Sequence, residues 1–438
     1  MSALFNAATI DQLARRLGEP AWLAELRRRS LARHAALPWP HPSDDVWRRT
    51  DVTLLDPARG FAPAAPELLT TVAVSEAQLA AFTRPLGDEQ LVARVNGTWL
   101  TEARPDLCSV EELSAAAHAH PDPVRHILEA DGFTEAEQKL TSLNTAFHHD
   151  GLVVRVPARM SGGRPLRLVR VFAVSPRQAV FPLTVITVGA GSAVTLIDEY
   201  VSVPDAVEAG APHLVNGRIE IVLEQEAALH YVRLQRLDPR AREFLLQRAT
   251  LAQGATLTMT NINLGAALSK AHVVTKLSGP GATAKLYGFV FGHGAQHIDQ
   301  HTLQDHQAPH TVSDLQFRAA LQDDSRMVYT GLIRIAKAAQ QTNAYQANHN
   351  LLLSRTARAE TIPMLEILAD DVQCKHGASI GPIDEEQAFY LMSRGIPREH
   401  AQRLIVMGFI EPIVQQVAFA PLQERLRREI EGSLSDGG

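Results

Sequence analysis

The hydrophobic rhythm of the chain changes twice. Over residues 1–145, apolar side chains recur at helical spacing. Trp22, Leu23, Leu26 and Leu31 follow Pro20, which suits a first helical turn, and residues 111–140 repeat the pattern. Between them lie a proline-dense stretch (Pro38, Pro40, Pro42), Trp47, and a loop-like segment over 61–75. From 146 to 378 the texture is different. Short runs of Val, Ile, Leu and Thr are divided by Gly, Pro, Asn and Asp, and residues 256–260 alternate strictly, as a half-buried strand does. About fifteen such runs occur with no long helical pattern between them, and the last is read over 365–374. From 379 to 438 the spacing is helical again. Asp384 with Gln387 makes a capping box for a helix that stops at Gly395. Pro397 opens a second helix, expected to end before Gly408. Leu422, Leu426 and Ile430 then form a narrow apolar stripe, suited either to closing the end of the β region or to docking a partner chain.

Within the β region a weak echo repeats. A small or polar residue in a turn leads into a strand at Gly191, Glu226, Gly254 and Gly281, and the last three are spaced 28 and 27 residues apart. A period in this range is the mark of a stacked array, in which each coil buries its inner face only against its neighbours. A β-solenoid is therefore favoured over a sandwich, which would hold the whole segment with no repeat.

Charge and composition narrow the function. The chain of 438 residues has 42 Lys plus Arg against 48 Asp plus Glu, a net −6. That balance disfavours nucleic acid or an anionic membrane as the main partner. No apolar run reaches the ~18 residues of a spanning helix, and residues 1–10 lack the features of a signal peptide. The only cysteines, Cys108 and Cys374, cannot make a disulfide framework or a four-thiolate metal site, so a cytoplasmic location is expected. No lysine follows a glycine, so there is no P-loop, and Gly189-Ala-Gly191 leads into a strand rather than a helix. No nucleotide is expected on this chain.

Two groups of residues could carry chemistry. His293, His297, His301, His306 and His310 are spaced for a helical metal face, but Gly292, Gly294 and Pro309 argue against a helix. On a strand, His297, Asp299 and His301 share one side and suit Zn²⁺ or Fe²⁺. The alternative is a polar ladder on the solenoid exterior. The carboxylate pairs Asp323-Asp324 and Asp370-Asp371 read as turn acceptors, since adjacent strand residues face opposite ways. In Cys374-Lys-His376 a thiol and an imidazole share one side of a strand, a pairing that suits iron, zinc or copper(I). Two ligands cannot close a site, so a functional reading needs further ligands from another chain. The plainer reading is a buried Cys beside a surface His. On pattern alone a standalone metal-binding or carbohydrate-active β-solenoid also fits, although aromatics at 5% are sparse for a glycan platform.

A series of segments carries a resemblance: 329–333 (Tyr-Thr-Gly-Leu-Ile), 342–346 (Thr-Asn-Ala-Tyr-Gln), 351–354, 363–367 (Pro-Met-Leu-Glu-Ile), 369–372, 374–378 (Cys-Lys-His-Gly-Ala) and 389–396 (Phe-Tyr-Leu-Met-Ser-Arg-Gly-Ile). Together they resemble the SufB/SufD family of iron–sulfur cluster assembly scaffolds, with looser matches at 20–23, 47–51 and 147–157. Residues 354–361 lack the cysteine that SufB carries before its counterpart of Pro363, so the likeness is to the SufD branch. The resemblance implies a right-handed parallel β-helix over 146–378, between a mainly helical N-terminal region (1–145) and a C-terminal helical domain (379–438). It implies a non-catalytic scaffold that pairs with SufB through the β-helix and docks the ATPase SufC on its C-terminal helices. It implies a transient Fe–S cluster shared with SufB, with His376 as ligand and the role of Cys374 left open. A homodimer is plausible for the isolated chain, because a solenoid ends in an open edge.

Overall fold

The computed structural model describes residues 4–63, 74–101, 105–130, 134–173, 177–203 and 211–435. Most of the loop expected over 61–75 thus lies outside the described residues. From Leu214 onward the strands alternate between two sheets, each stacking on the strand before last. One sheet runs from Asp150–Val156 to Arg358–Ile367, the other from Leu166–Phe172 to Val372–Pro382, and every pair along both stretches is parallel. Register holds from coil to coil, as in Ala228↔Thr256↔Thr283↔Val312. The fold is a parallel β-solenoid flanked by helices, as expected.

The echo in the sequence is one turn repeated in space. Gly191, Glu226, Gly254, Gly281, His310 and Gln341 all have left-handed backbones, with φ between 57° and 72°. The amide of each donates to a carbonyl one coil further on, for example Gly254 N–H to Pro280 O at 3.0 Å and His310 N–H to Gln340 O at 2.9 Å. Glycine adopts this conformation without the Cβ clash that other residues carry. The echo faded after Gly281 because His310 and Gln341 hold the same geometry without the glycine that marks it.

Alternate side chains point inward. Ile219, Ile221 and Leu223 of one sheet meet Leu229, Tyr231, Leu257 and Met259 of the other in a continuous buried core. Each such burial contributes ~1.5–3 kcal/mol. The outward side chains are covered too. Phe244, Leu246 and Leu268 pack under Phe5, Trp47, Leu140 and Phe147 of the N-terminal region. On the other sheet, Val232, Leu234, Phe289 and Phe291 pack under Ile410, Ile413, Leu422, Leu426 and Ile430.

Several local expectations need correction. The helical stretch over 111–140 is divided into Leu113–Ala119, Pro121–Leu128 and Glu135–Phe147. Asp384 caps its helix by accepting from the Glu386 and Gln387 amides, with no reciprocal bond from the Gln387 side chain. The next helix does not end before Gly408. It runs Arg398–Val414, with Pro412 inside it. Burying Ile410, Ile413 and Val414, at ~1.5–3 kcal/mol each, outweighs the ~1 and ~3 kcal/mol costs of an internal Gly and Pro. The 422–426–430 stripe covers a side of the solenoid rather than closing its end. Finally, the run read as one strand over 365–374 is broken at 368–371, where the chain crosses between the sheets.

Candidate ligand site at the open end of the solenoid

That crossing places Cys374 and His376 inside a strand of their own, Val372–Pro382, the terminal strand of its sheet. One edge of it pairs with Thr342–Leu352, with Ala344 opposite Cys374 and Gln346 opposite His376. The other edge has no strand partner among the described residues. The same is true of Arg358–Ile367 in the other sheet.

The register shows where these side chains point. Ser313, Ala344 and Cys374 form one column along the solenoid, and Leu315, Gln346 and His376 form the next. Ser313, Leu315, Ala344 and Gln346 are buried inside the solenoid. Residues 374 and 376 continue those interior columns at a level where no further coil covers them. Cys374 is half-buried against Ile333, Ile335, Ala339 and Ala344, whereas His376 is exposed and makes no side-chain hydrogen bond among the described residues. Burial pushes the Cys374 thiol above its ordinary range, so at neutral pH it stays protonated until a metal or a cationic partner draws the proton off. The structure thus brings the two predicted ligands to one side of one strand, facing out of an open mouth. Cys108 is elsewhere, packed against the interior core, where burial raises its thiol to about 11.

The rim of this mouth is apolar. Leu365, Ile367 and Ile380 occupy interior-facing positions yet are exposed, and Tyr345 and Leu368 add to the surface. Beneath them is a polar layer, in which Asn348 Oδ1 accepts from Thr361 Oγ1 (2.6 Å) and Asn350 Nδ2 (2.7 Å). Beside the mouth, helix Glu385–Ser393 leaves Phe389 71% and Tyr390 58% exposed.

The histidine cluster divides. His306 is inside the solenoid, with Thr311 and Ser313 at 2.8 Å. His297, Asp299 and His301 do share the outer side of strand His297–His306, and the ladder there is hydrogen-bonded rather than solvated. The N-terminal region covers it: Thr50 bonds to both His297 and Asp299, and Lys270 Nζ pairs with Asp299 at 2.7 Å. His301 stacks beside His272 of the preceding coil, which bonds to Glu137. Sequence reading missed Glu137 and His272. The signal for the latter was the coil period itself, since His272 lies one coil before His301.

The pattern of the SUF system FeS cluster assembly SufBD core domain matches residues 171–409, more than half of the chain. The chain belongs to the SufBD family. Among its relatives is an iron–sulfur cluster assembly SufBD family protein of Synechocystis, 28% identical over 405 residues, covering 89% of this chain and 86% of the relative. The iron–sulfur cluster assembly protein SufD of Bacillus subtilis is 27% identical over 425 residues, covering 94% of each chain. SufD of Escherichia coli is 31% identical over 247 residues, covering 56% of this chain and 57% of that one. Family membership makes this a chain of an iron–sulfur cluster assembly system, most like SufD. Among the described residues, no helix is long and apolar enough to cross a membrane.

Proposed function

We propose that this chain is the SufD-like half of a cytoplasmic SufBD scaffold, with residues 146–378 forming the pairing body between helical regions 1–145 and 379–438. The observation that carries the reading is the open end, where the two ligand-type residues, two unpaired strand edges and exposed Leu365, Ile367 and Ile380 coincide. An unpaired edge is a template for strand addition, and an apolar rim favours a partner that closes it. A sibling SufB chain would supply that closure and the remaining ligands.

The ligand chemistry suits assembly rather than storage. A neutral imidazole is a weaker, protonatable ligand than a thiolate, so a cluster held partly by His376 can be released. His376 is exposed and available at once, while Cys374 must first lose a proton. The cluster is then transient cargo shared between two chains, and this chain catalyses nothing alone. The exposed Phe389 and Tyr390 fit the docking of a SufC-type ATPase, which would hold the nucleotide this chain lacks a P-loop to bind. Without SufB, the same apolar end would pair two copies of this chain.

The test is anaerobic cluster formation on the complex reconstituted with SufB and SufC. His376→Ala should lower cluster yield several-fold while the circular dichroism spectrum stays unchanged. An undiminished yield would refute the assignment.

A further inference from the structure

A second cluster of ligand-type residues lies away from the open end, beneath the N-terminal layer. His272 and His301 are register partners on adjacent strands, with ring centroids 4.9 Å apart. Glu137, from helix Glu135–Phe147, reaches down to them, and its Oε1 lies 3.0 Å from Nδ1 of His272. One donor atom from each of the three residues fits within a 4.8 Å spread. Trp47 packs against His272 at 5.1 Å and roofs the site.

Unsatisfied ring nitrogens point to something missing from this cluster. Nε2 of His272 and both ring nitrogens of His301 are covered, yet have no hydrogen-bond partner among the described residues. Each such orphan costs ~1–3 kcal/mol. The donors are two nitrogens and a carboxylate, the set that suits Zn²⁺ or Fe²⁺.

We propose that Glu137, His272 and His301 bind a divalent first-row transition metal ion at a site separate from the cluster ligands of the open end. The ion sits between Nδ1 of His272 and the Glu137 carboxylate, the His272 ring proton moves to Nε2, and His301 turns to close the third side. Metal–ligand bonds of ~2.0–2.2 Å need donors somewhat closer than the 4.8 Å spread, and imidazole rotation supplies the difference. The site ties the N-terminal helices to two solenoid strands, so occupancy stabilises that layer.

The test uses the tag-free full chain carrying Cys374→Ser and His376→Ala, so that the open end contributes no ligand and failure of one reading cannot be taken for failure of the other. The chelator-stripped chain is titrated with Co²⁺, followed by its d–d absorption, and with Zn²⁺, followed by metal analysis after gel filtration. One equivalent per chain is expected. His301→Leu should weaken binding by at least ~10-fold, a loss typical even of outer-shell partners. Glu137→Gln should do the same while keeping the helix cap, since Gln also serves at that capping-box position. It decides the matter should His301→Leu fail to fold. Sub-stoichiometric retention by the parent chain, or retention that survives both substitutions, would overturn the site and leave a His–Glu hydrogen-bond cluster only.

Discussion

The two ends of the solenoid are built from the same repeating coil and finished in opposite ways. At the first end the chain covers itself. Ser109–Glu112 adds antiparallel to Asp150–Val156, and Gln90–Val95 adds to Leu166–Phe172 with Thr98–Trp99 beyond it. The interior there is sealed by charge as well. Asp150 is buried between Arg94 (3.4 Å) and Arg170 (3.9 Å); burial works to raise its carboxyl pKa, but the two guanidiniums hold it below the ordinary value. At the last end no strand is added among the described residues, and the interior columns run out into Leu365, Ile367, Cys374, His376 and Ile380. A solenoid has no intrinsic reason to treat its ends differently. The bare end is where the ligand-type residues are found, and it is the end at which the proposed partner would be accommodated.

The comparison can be tested from the strongest effect down. The first half is clamped to the C-terminal helices through Glu199, which is fully buried and pairs with Arg167 (3.0 Å), Arg236 and Arg425. Glu199→Gln leaves three guanidiniums short of their counter-charge and should cost ~3–5 kcal/mol, read as a fall in the urea midpoint. The same carboxylate predicts acid sensitivity. Burial opposes its ionisation, yet Arg236, Arg425 and Arg167 hold its pKa at about 2, against an ordinary 4.5. A depressed folded-state pKa means that this stability is fully present above pH 4.5 and is lost as pH falls toward 2. Urea midpoints measured across that range should decline, and the decline should flatten in Glu199→Gln.

Core truncation should separate coil from rim. Leu257→Ala, deep in the solenoid, should cost ~2–5 kcal/mol by cavity formation. Ile380→Ala, at an equivalent inward position on the open end, should stay within ~0.5 kcal/mol for the isolated chain. A large loss at Ile380 would mean the end is already closed. Ile380→Lys should leave monomer stability equally untouched while abolishing association with SufB or with a second copy, measured by sedimentation. Smallest of all, His376→Ala should leave the unfolding midpoint unchanged.

Much of this was legible in the chain. The turn echo revealed the solenoid because left-handed turns prefer glycine, and Cys374 with His376 could be paired because the two-residue period of a strand is local. What escaped depended on contacts across coils or between layers. The helix through Gly408 and Pro412 persists because Ile410, Ile413 and Val414 find a buried surface, which local propensity cannot register. The break at 368–371 falls where the chain crosses between sheets, at Asp370-Asp371, a pair legible as turn acceptors but not as the end of the run. The Glu137–His272–His301 group joins three segments that only the register and the N-terminal layer bring together.

Register has a last consequence. Aligned strand positions are 26 residues apart from Arg242 to Leu268 but 32 apart from Arg326 to Arg358, so the bends absorb differences in length while the strands keep step. Insertions at the bends are therefore tolerated, whereas adding or deleting one residue within Val372–Pro382 ahead of Cys374 would reverse parity. The thiol and the imidazole would then turn to the outer wall, and a chain that folds just as well would offer the proposed partner an empty doorway.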